Sequence, residues 1–134
     1  MSHSYQDLFY HFVWTPKYRT NLITQQIKST LLPFLKNKVL SLGCRVFAVN
    51  CMEDHVHILI YIPARLSVAY VINILKGSSS HEIKQISSGF SWQIGYGVTT
   101  LRRSDLSIVQ NYIQNQEHHH QTGSIEKSLE ILYD

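Results

Sequence analysis

Apolar side chains along this chain alternate, then recur every three to four residues, then alternate again, and this patterning predicts the elements. Residues 5–14, with Tyr5, Phe9, Tyr10, Phe12 and Trp14, read as a strand. Thr15-Pro16-Lys17-Tyr18-Arg19 breaks it, because proline lacks the ladder donor. From Thr24 to Leu42 the residues Ile27, Leu31, Leu35, Val39 and Leu42 keep helical spacing. Pro33 inside that span predicts a kink or a late start, and Gly43 a stop. Cys44 to Cys51 reads as a second strand, with Val46, Ala48 and Asn50 on one face and Phe47, Val49 and Cys51 on the other. Met52-Glu53-Asp54 is short enough for a hairpin connection into a third strand, His55 to Ile62, which Pro63 ends. Ser67 caps a helix carrying Val68, Val71, Ile72, Leu75, Ile83 and Ile86, weakened in its middle by Gly77 and serines 78–80. A fourth strand lies within Trp92 to Leu101, starting at Tyr96 or Gly97. Ser104 or Asp105 then caps a helix running to about His119, and a short helix from Ile125 to Leu132 closes the chain.

The order strand, helix, strand, strand, helix, strand is the split pattern of a ferredoxin-like α+β domain, here followed by two further helices. Its helices cover one face of an antiparallel sheet and leave the other available. With 134 residues, no repeat and no linker, the chain is expected to be one domain spanning residues 1–134. No apolar run reaches the roughly 18 to 20 residues of a membrane span, and the first residues lack a signal-peptide layout. A cytoplasmic location is the expectation. Cys44 and Cys51 lack Cys-x-x-Cys spacing and, seven apart in one strand, are expected to point to opposite faces and pair with nothing. A formal charge of +3, with the histidines counted neutral, permits a nucleic-acid partner without demanding one.

The chemistry begins at His55-Val56-His57. On a strand both imidazoles project from one face, while Val56, Ile58, Ile60 and Ile62 form an aliphatic row on the other. Such a pair is either a two-nitrogen clamp for a metal or two hydrogen-bonded histidines. On the helix from Asp105, Leu106, Val109 and Ile113 make an ordinary core stripe. Tyr112 and Gln116, one turn apart, fall on a separate stripe that His119 continues. Two imidazoles and one carboxamide oxygen make three protein ligands and leave positions open for water and phosphate oxygens. Mg²⁺ or Mn²⁺ suits a phosphate task, Mn²⁺ being the more comfortable with imidazole. The Tyr112 oxygen could then attack a phosphodiester in line to give a phosphotyrosine. Asp54 either orients a ligand histidine or shapes the turn.

At these residues the chain resembles the IS200/IS605 transposases, single-tyrosine members of the HUH endonucleases. The resemblance rests on Asp54-His55-Val56-His57 and on Tyr112-Ile113-Gln114-Asn115-Gln116. Trp14-Thr15-Pro16-Lys17-Tyr18-Arg19, Leu75-Lys76-Gly77 with its serines, and Trp92-Gln93-Ile94-Gly95-Tyr96-Gly97 extend it over nearly the whole chain. His81 departs from an expected arginine, and Glu53 from a frequent proline. The resemblance implies an enzyme that cuts and rejoins single-stranded DNA at the ends of a mobile element. It implies recognition of a subterminal DNA hairpin, a 5′-phosphotyrosine with a free 3′-hydroxyl, and a homodimer in which one subunit's tyrosine helix can complete the other's site. It makes Tyr112 the nucleophile and His55, His57 and Gln116 the metal ligands.

Lys17, Arg19, Lys76, Lys84, Arg102 and Arg103 are candidate phosphate contacts, and Tyr18 a candidate base-stacking residue. Trp92 and Tyr96 read as core or dimer contacts. His118-His119-His120 cannot chelate one ion together from a helix, because consecutive residues spread around its axis. No partner can be named for His3, His11 or His81. One rival reading is a domesticated relative that binds or nicks repeated hairpins without moving an element. A non-enzymatic nucleic-acid-binding domain would want surface aromatics where His55 and His57 sit. A two-histidine phosphoesterase would want paired His-x-Thr or His-x-Ser motifs, which the chain lacks.

Overall fold

A computed structural model describes residues 4–116; the expectations for His118, His119, His120 and the helix from Ile125 to Leu132 lie outside the described residues. Four strands, β1 (Phe9–Trp14), β2 (Arg45–Met52), β3 (His55–Tyr61) and β4 (Gly97–Leu101), form one antiparallel sheet in the order β2-β3-β1-β4. Helices α1 (Gln25–Ser41) and α2 (Val68–Lys84) cover one face. A third, α3 (Leu106–Gln114), packs on β2 and β3 from the other. This is the ferredoxin-like α+β arrangement. Among the described residues no helix is long and apolar enough to cross a membrane.

The period-two row of β3 decides which face is which. Val56, Ile58 and Ile60 are fully buried beneath α1 and α2, with Leu31, Leu35, Ile72 and Leu75 opposite them. Each such side chain contributes roughly 1.5–3 kcal/mol of burial. Leu59, on the other face, meets Ala48, Val109 and Ile113 in a smaller cluster beneath α3. Trp92 and Tyr96 pack against the larger core from its margin, Trp92 donating from Nε1 to the Ser79 hydroxyl at 3.0 Å.

Four expectations need correction. β1 starts at Phe9 rather than Tyr5, because its neighbours end there: Tyr61 and Leu101 both stand opposite Phe9. α1 does not start late at Pro33 but runs from Gln25, with the Thr24 hydroxyl accepting from the Ile27 N–H. Pro33 and Ser29, the residue whose carbonyl loses its donor, both lie on the exposed side, where water can serve instead. Asp105 does not cap α3 with its side chain; its carboxylate faces Arg102 at 3.5 Å, and a short 3-10 turn (Arg103–Asp105) leads in.

The fourth correction concerns β2. Val46 pairs with Ile60 and Ala48 with Leu59, so Phe47 is an extra residue in a β-bulge. The bulge flips the parity. Val46 joins Val49 and Cys51 on the α1/α2 side, while Phe47 joins Ala48 on the α3 side. Cys44 and Cys51 therefore share one core instead of pointing to opposite faces, and both are free thiols.

Burial raises the pKa of both thiols, that of Cys51 to about 11 against an ordinary 9.0. Native protein at pH 8 should react with a thiol reagent far more slowly than unfolded protein, and rapid labelling of either cysteine would contradict this placement. A raised folded-state value gives a contribution complete below pH 9 and lost as pH climbs towards 11. Over that window the denaturation midpoint should fall more steeply in wild type than in Cys51→Ala.

Candidate active site

β3 opens directly from the turn after β2, so its first residues stand at the rim of the α3-side face. His55 and His57 project there, and both are buried. Asp54 sits in the turn, its Oδ1 2.7 Å from His55 Nδ1. An ionised carboxylate only accepts, so this contact puts a proton on Nδ1. That bond is the main reason the Asp54 pKa lies below its ordinary value, with the charge of nearby Arg19 assisting and desolvation opposing.

α3 supplies the other half. Its Leu106–Val109–Ile113 stripe packs on the sheet, and two amides tie it to β2. Asn50 Nδ2 donates to the Ile113 carbonyl at 2.9 Å, and Gln110 Nε2 to the Phe47 carbonyl at 2.8 Å. In this register Gln116 is fully buried, with Oε1 3.2 Å from His55 Nε2. Gln116 Nε2 donates to the Tyr112 carbonyl at 3.3 Å, which turns the amide oxygen towards the imidazole. The Tyr112 ring is buried edge-on against His57, with centroids 6.3 Å apart.

With Nδ1 protonated, a neutral His55 would direct its Nε2 lone pair towards another lone-pair atom, Gln116 Oε1. A nitrogen and an oxygen converging in this way suit a divalent cation, and the donor set fits Mg²⁺ or Mn²⁺. Among the described residues no trio of His, Cys, Asp or Glu gathers as a metal site. The third donor available here would be the Gln116 carboxamide.

One residue of this site escaped the sequence reading. His11 is buried on β1 and stands 2.8 Å from His57, Nε2 to Nδ1. The signal was available: Tyr10, Phe12 and Trp14 face the α1/α2 core, so alternation turns His11 to the His57 face.

The candidate DNA contacts divide by what they already hold. Tyr18 and Arg19 are consecutive non-glycine residues with φ of 61° and 53°, a costly conformation. The Tyr18 N–H donates to Gln93 Oε1 at 2.9 Å, and the turn is braced further by Lys17 N–H on the Ser91 carbonyl. The result throws the Tyr18 ring outward, 77% exposed, with Lys17 above it, and leans Arg19 towards Asp54 at 3.7 Å. Lys76 donates to the Gln93 and Gly95 carbonyls at 2.7 and 2.6 Å, and its burial lowers its pKa. Arg103 grips Asp7 through two nitrogens, and Arg102 faces Asp105. Lys84 is exposed at the end of α2, in the layer opposite the histidines. A cleft of about 450 Å³ at the far end of the α3-side face is lined by Arg45, Arg65, Arg103, Tyr5 and Tyr61. Arg45 and Arg65 were not singled out from the sequence, since nothing local marks two isolated arginines as neighbours.

The sheet and the site together define the class, a ferredoxin-like α+β domain with paired histidines on a central strand facing a tyrosine-bearing helix. The chain belongs to the family described as "Transposase IS200 like", whose model matches residues 4–116. It is 25% identical over 118 residues to the ISDra2 transposase TnpA of Deinococcus radiodurans, covering 82% of this chain and 84% of that protein. It is 27% identical over 124 residues to the transposase for insertion sequence element IS200 of Salmonella typhimurium, covering 87% and 81%. In fold it is similar to a crystal structure described as a transposase of Deinococcus radiodurans, with TM-score 0.71, 24% identity, and coverage of 87% of this chain and 95% of that one. A REP-associated tyrosine transposase bound to a REP hairpin gives TM-score 0.63, 16% identity, and coverage of 90% and 74%. The protein is thus a transposase acting in DNA transposition.

Because Lys76 braces a turn, Lys76→Ala should destabilise the fold by about 1–2 kcal/mol, read as a shift of the urea midpoint. Lys84→Ala should shift it far less. Equal shifts would show that the two carbonyl bonds contribute nothing.

Proposed function

We propose that this transposase cuts and rejoins single-stranded DNA through Tyr112, with His55, His57 and Gln116 holding Mg²⁺ or Mn²⁺ and Asp54 orienting His55. The observation that carries the reading is the convergence of His55 Nε2 and Gln116 Oε1 at 3.2 Å, on the helix turn that also sets Tyr112 beside His57. The bound cation would supply Lewis-acid polarisation of the scissile phosphate. Tyr112, whose free phenol has a pKa near 10, loses its proton as its oxygen bonds to phosphorus. The bond from phosphorus to the 3′-oxygen breaks, and that oxygen takes a proton to become a 3′-hydroxyl. The 5′-phosphotyrosine keeps the energy of the broken diester, so attack by a 3′-hydroxyl rejoins DNA with no outside energy source.

The substrate on this reading is single-stranded DNA with a subterminal hairpin, met in the cytoplasm by a homodimer. Within one chain the Tyr112 ring lies edge-on to His57. Tyr18, held outward beside Lys17, offers a stacking surface for a base. Arg45 and Arg65 are the better phosphate contacts, because Lys76, Arg102 and Arg103 are already engaged with protein groups. Their cleft lies four residues along β3 from His57, roughly 13 Å at strand rise, within reach of a strand lying on the same face.

Incubated with single-stranded DNA carrying a candidate element end and Mg²⁺ or Mn²⁺, the protein should form a covalent adduct that survives a denaturing gel. Tyr112→Phe and a chelator should each abolish it, with hairpin binding retained in Tyr112→Phe. Binding without any adduct would favour a domesticated hairpin binder, and an undiminished adduct in Tyr112→Phe would assign the nucleophile elsewhere.

Removing Arg45 or Arg65 should weaken DNA binding and lower the slope of log affinity against log salt by about one for each phosphate no longer neutralised. An unchanged slope would take the cleft out of the DNA path.

A further inference from the structure

We infer that His11 is a positioning residue for the metal site. Its Nε2 accepts the His57 Nδ1 proton and so holds His57 in the tautomer whose Nε2 is open to a divalent cation. This rests on the metal reading above.

His11 lies on β1 opposite Leu59, which makes it the diagonal neighbour of His57 on the same face of the sheet. The two rings are nearly parallel, 14° apart, with centroids at 5.0 Å and the facing nitrogens at 2.8 Å. A nitrogen pair so much closer than the centroids places the bond in the plane of both rings, not face to face. Each nitrogen therefore aims at the other.

Between two neutral imidazoles one nitrogen donates and the other accepts. If His11 donated, His57 would keep its own proton on Nε2, and that nitrogen could not ligate. If His57 donates, Nε2 carries the lone pair. The ring is also fixed in place, with His55 at 5.1 Å and Tyr112 at 6.3 Å, both edge-on. Donation from His57 to His11 is therefore the direction compatible with a ligating Nε2, and His11 supplies the acceptor it needs, as the partners of ligating histidines commonly do.

The choice of an imidazole follows from depth. His55 is served by Asp54, whose side chain is 31% exposed and paired with Arg19. His57 is fully buried and His11 nearly so. A carboxylate in place of His11 would be a further charge taken out of water, with a large desolvation penalty. A neutral imidazole gives the same acceptor without that charge.

The test is Mn²⁺ titration of the full chain by electron paramagnetic resonance, without DNA, alongside thermal melts without metal. His11→Phe should weaken Mn²⁺ binding at least tenfold. His11→Gln, whose Oε1 can stand where Nε2 stood, should stay within about threefold of wild type. Should His11→Phe fail to fold, the comparison moves to His11→Asn, whose shorter amide falls short of His57. Asn weak and Gln retained supports the assignment, and equal affinities overturn it. In the Mg²⁺-loaded wild type, long-range proton–nitrogen spectra should show His57 protonated at Nδ1, and protonation at Nε2 would overturn the inference. Mn²⁺ uptake by wild type and His11→Phe alike removes His11 and leaves the metal reading standing. No uptake by wild type removes both.

Discussion

The site depends on one packing contact, that of α3 across β2 and β3. His55 and His57 are fixed by the sheet whatever α3 does. Tyr112 and Gln116 reach them only because Val109 and Ile113 bury against Leu59 and Ala48. Apolar contact alone is tolerant of sliding, and here two directional bonds remove that freedom. Asn50 and Gln110 each hold one end of the register, from β2 to α3 and back. A shift of one residue along the helix would rotate Gln116 by about 100° and turn its amide away from His55. The bulge at Phe47 belongs to the same constraint. The extra residue brings Phe47 to the α3 side, and its carbonyl is the acceptor for Gln110.

Much of this was legible in the sequence, and the failures share a cause. Strand and helix order, the Ser67 cap, the Gly43 stop and the two faces of β3 all follow from local rules. These report on a residue and its chain neighbours. Cys44, Val46 and Phe47 went to the wrong faces because a bulge is set by pairing with β3, which periodicity along β2 alone does not register. Tyr5 to Leu8 were counted as strand for the same reason, since a ladder ends where its partners end. Tyr112, His55, His57 and Gln116 do converge, because the spacing placed each pair on one face of its own element. His11 was missed although the fold was expected. Adjacency of β1 and β3 is part of that fold, and alternation along β1 would have turned His11 towards His57.

The cations show how a basic residue in a motif can be engaged by the fold itself. Charge is attracted by any carbonyl or carboxylate the fold leaves within reach, and the fold has first claim. Lys76, next to Gly77 and the serines, neutralises the carbonyl ends of the 93–95 turn. That turn in turn holds the loop of Lys17, Tyr18 and Arg19 through Gln93. Lys76 thus braces, one step back, the segment that displays the exposed Tyr18.

The same loop joins the exposed Tyr18 to the histidines. Arg19 reaches Asp54, and Asp54 reaches His55, so the acceptor that sets the His55 tautomer is itself paired with a partly exposed cation. At the buried end, His11 and His57 meet as two rings shielded from solvent. The two imidazoles are therefore held by unlike means, one through a partly exposed charge network and one through a buried bond between rings. His55 is thus linked to a partly exposed cation carried on a turn of positive φ at Tyr18 and Arg19, while His57 keeps its orientation inside the sheet face.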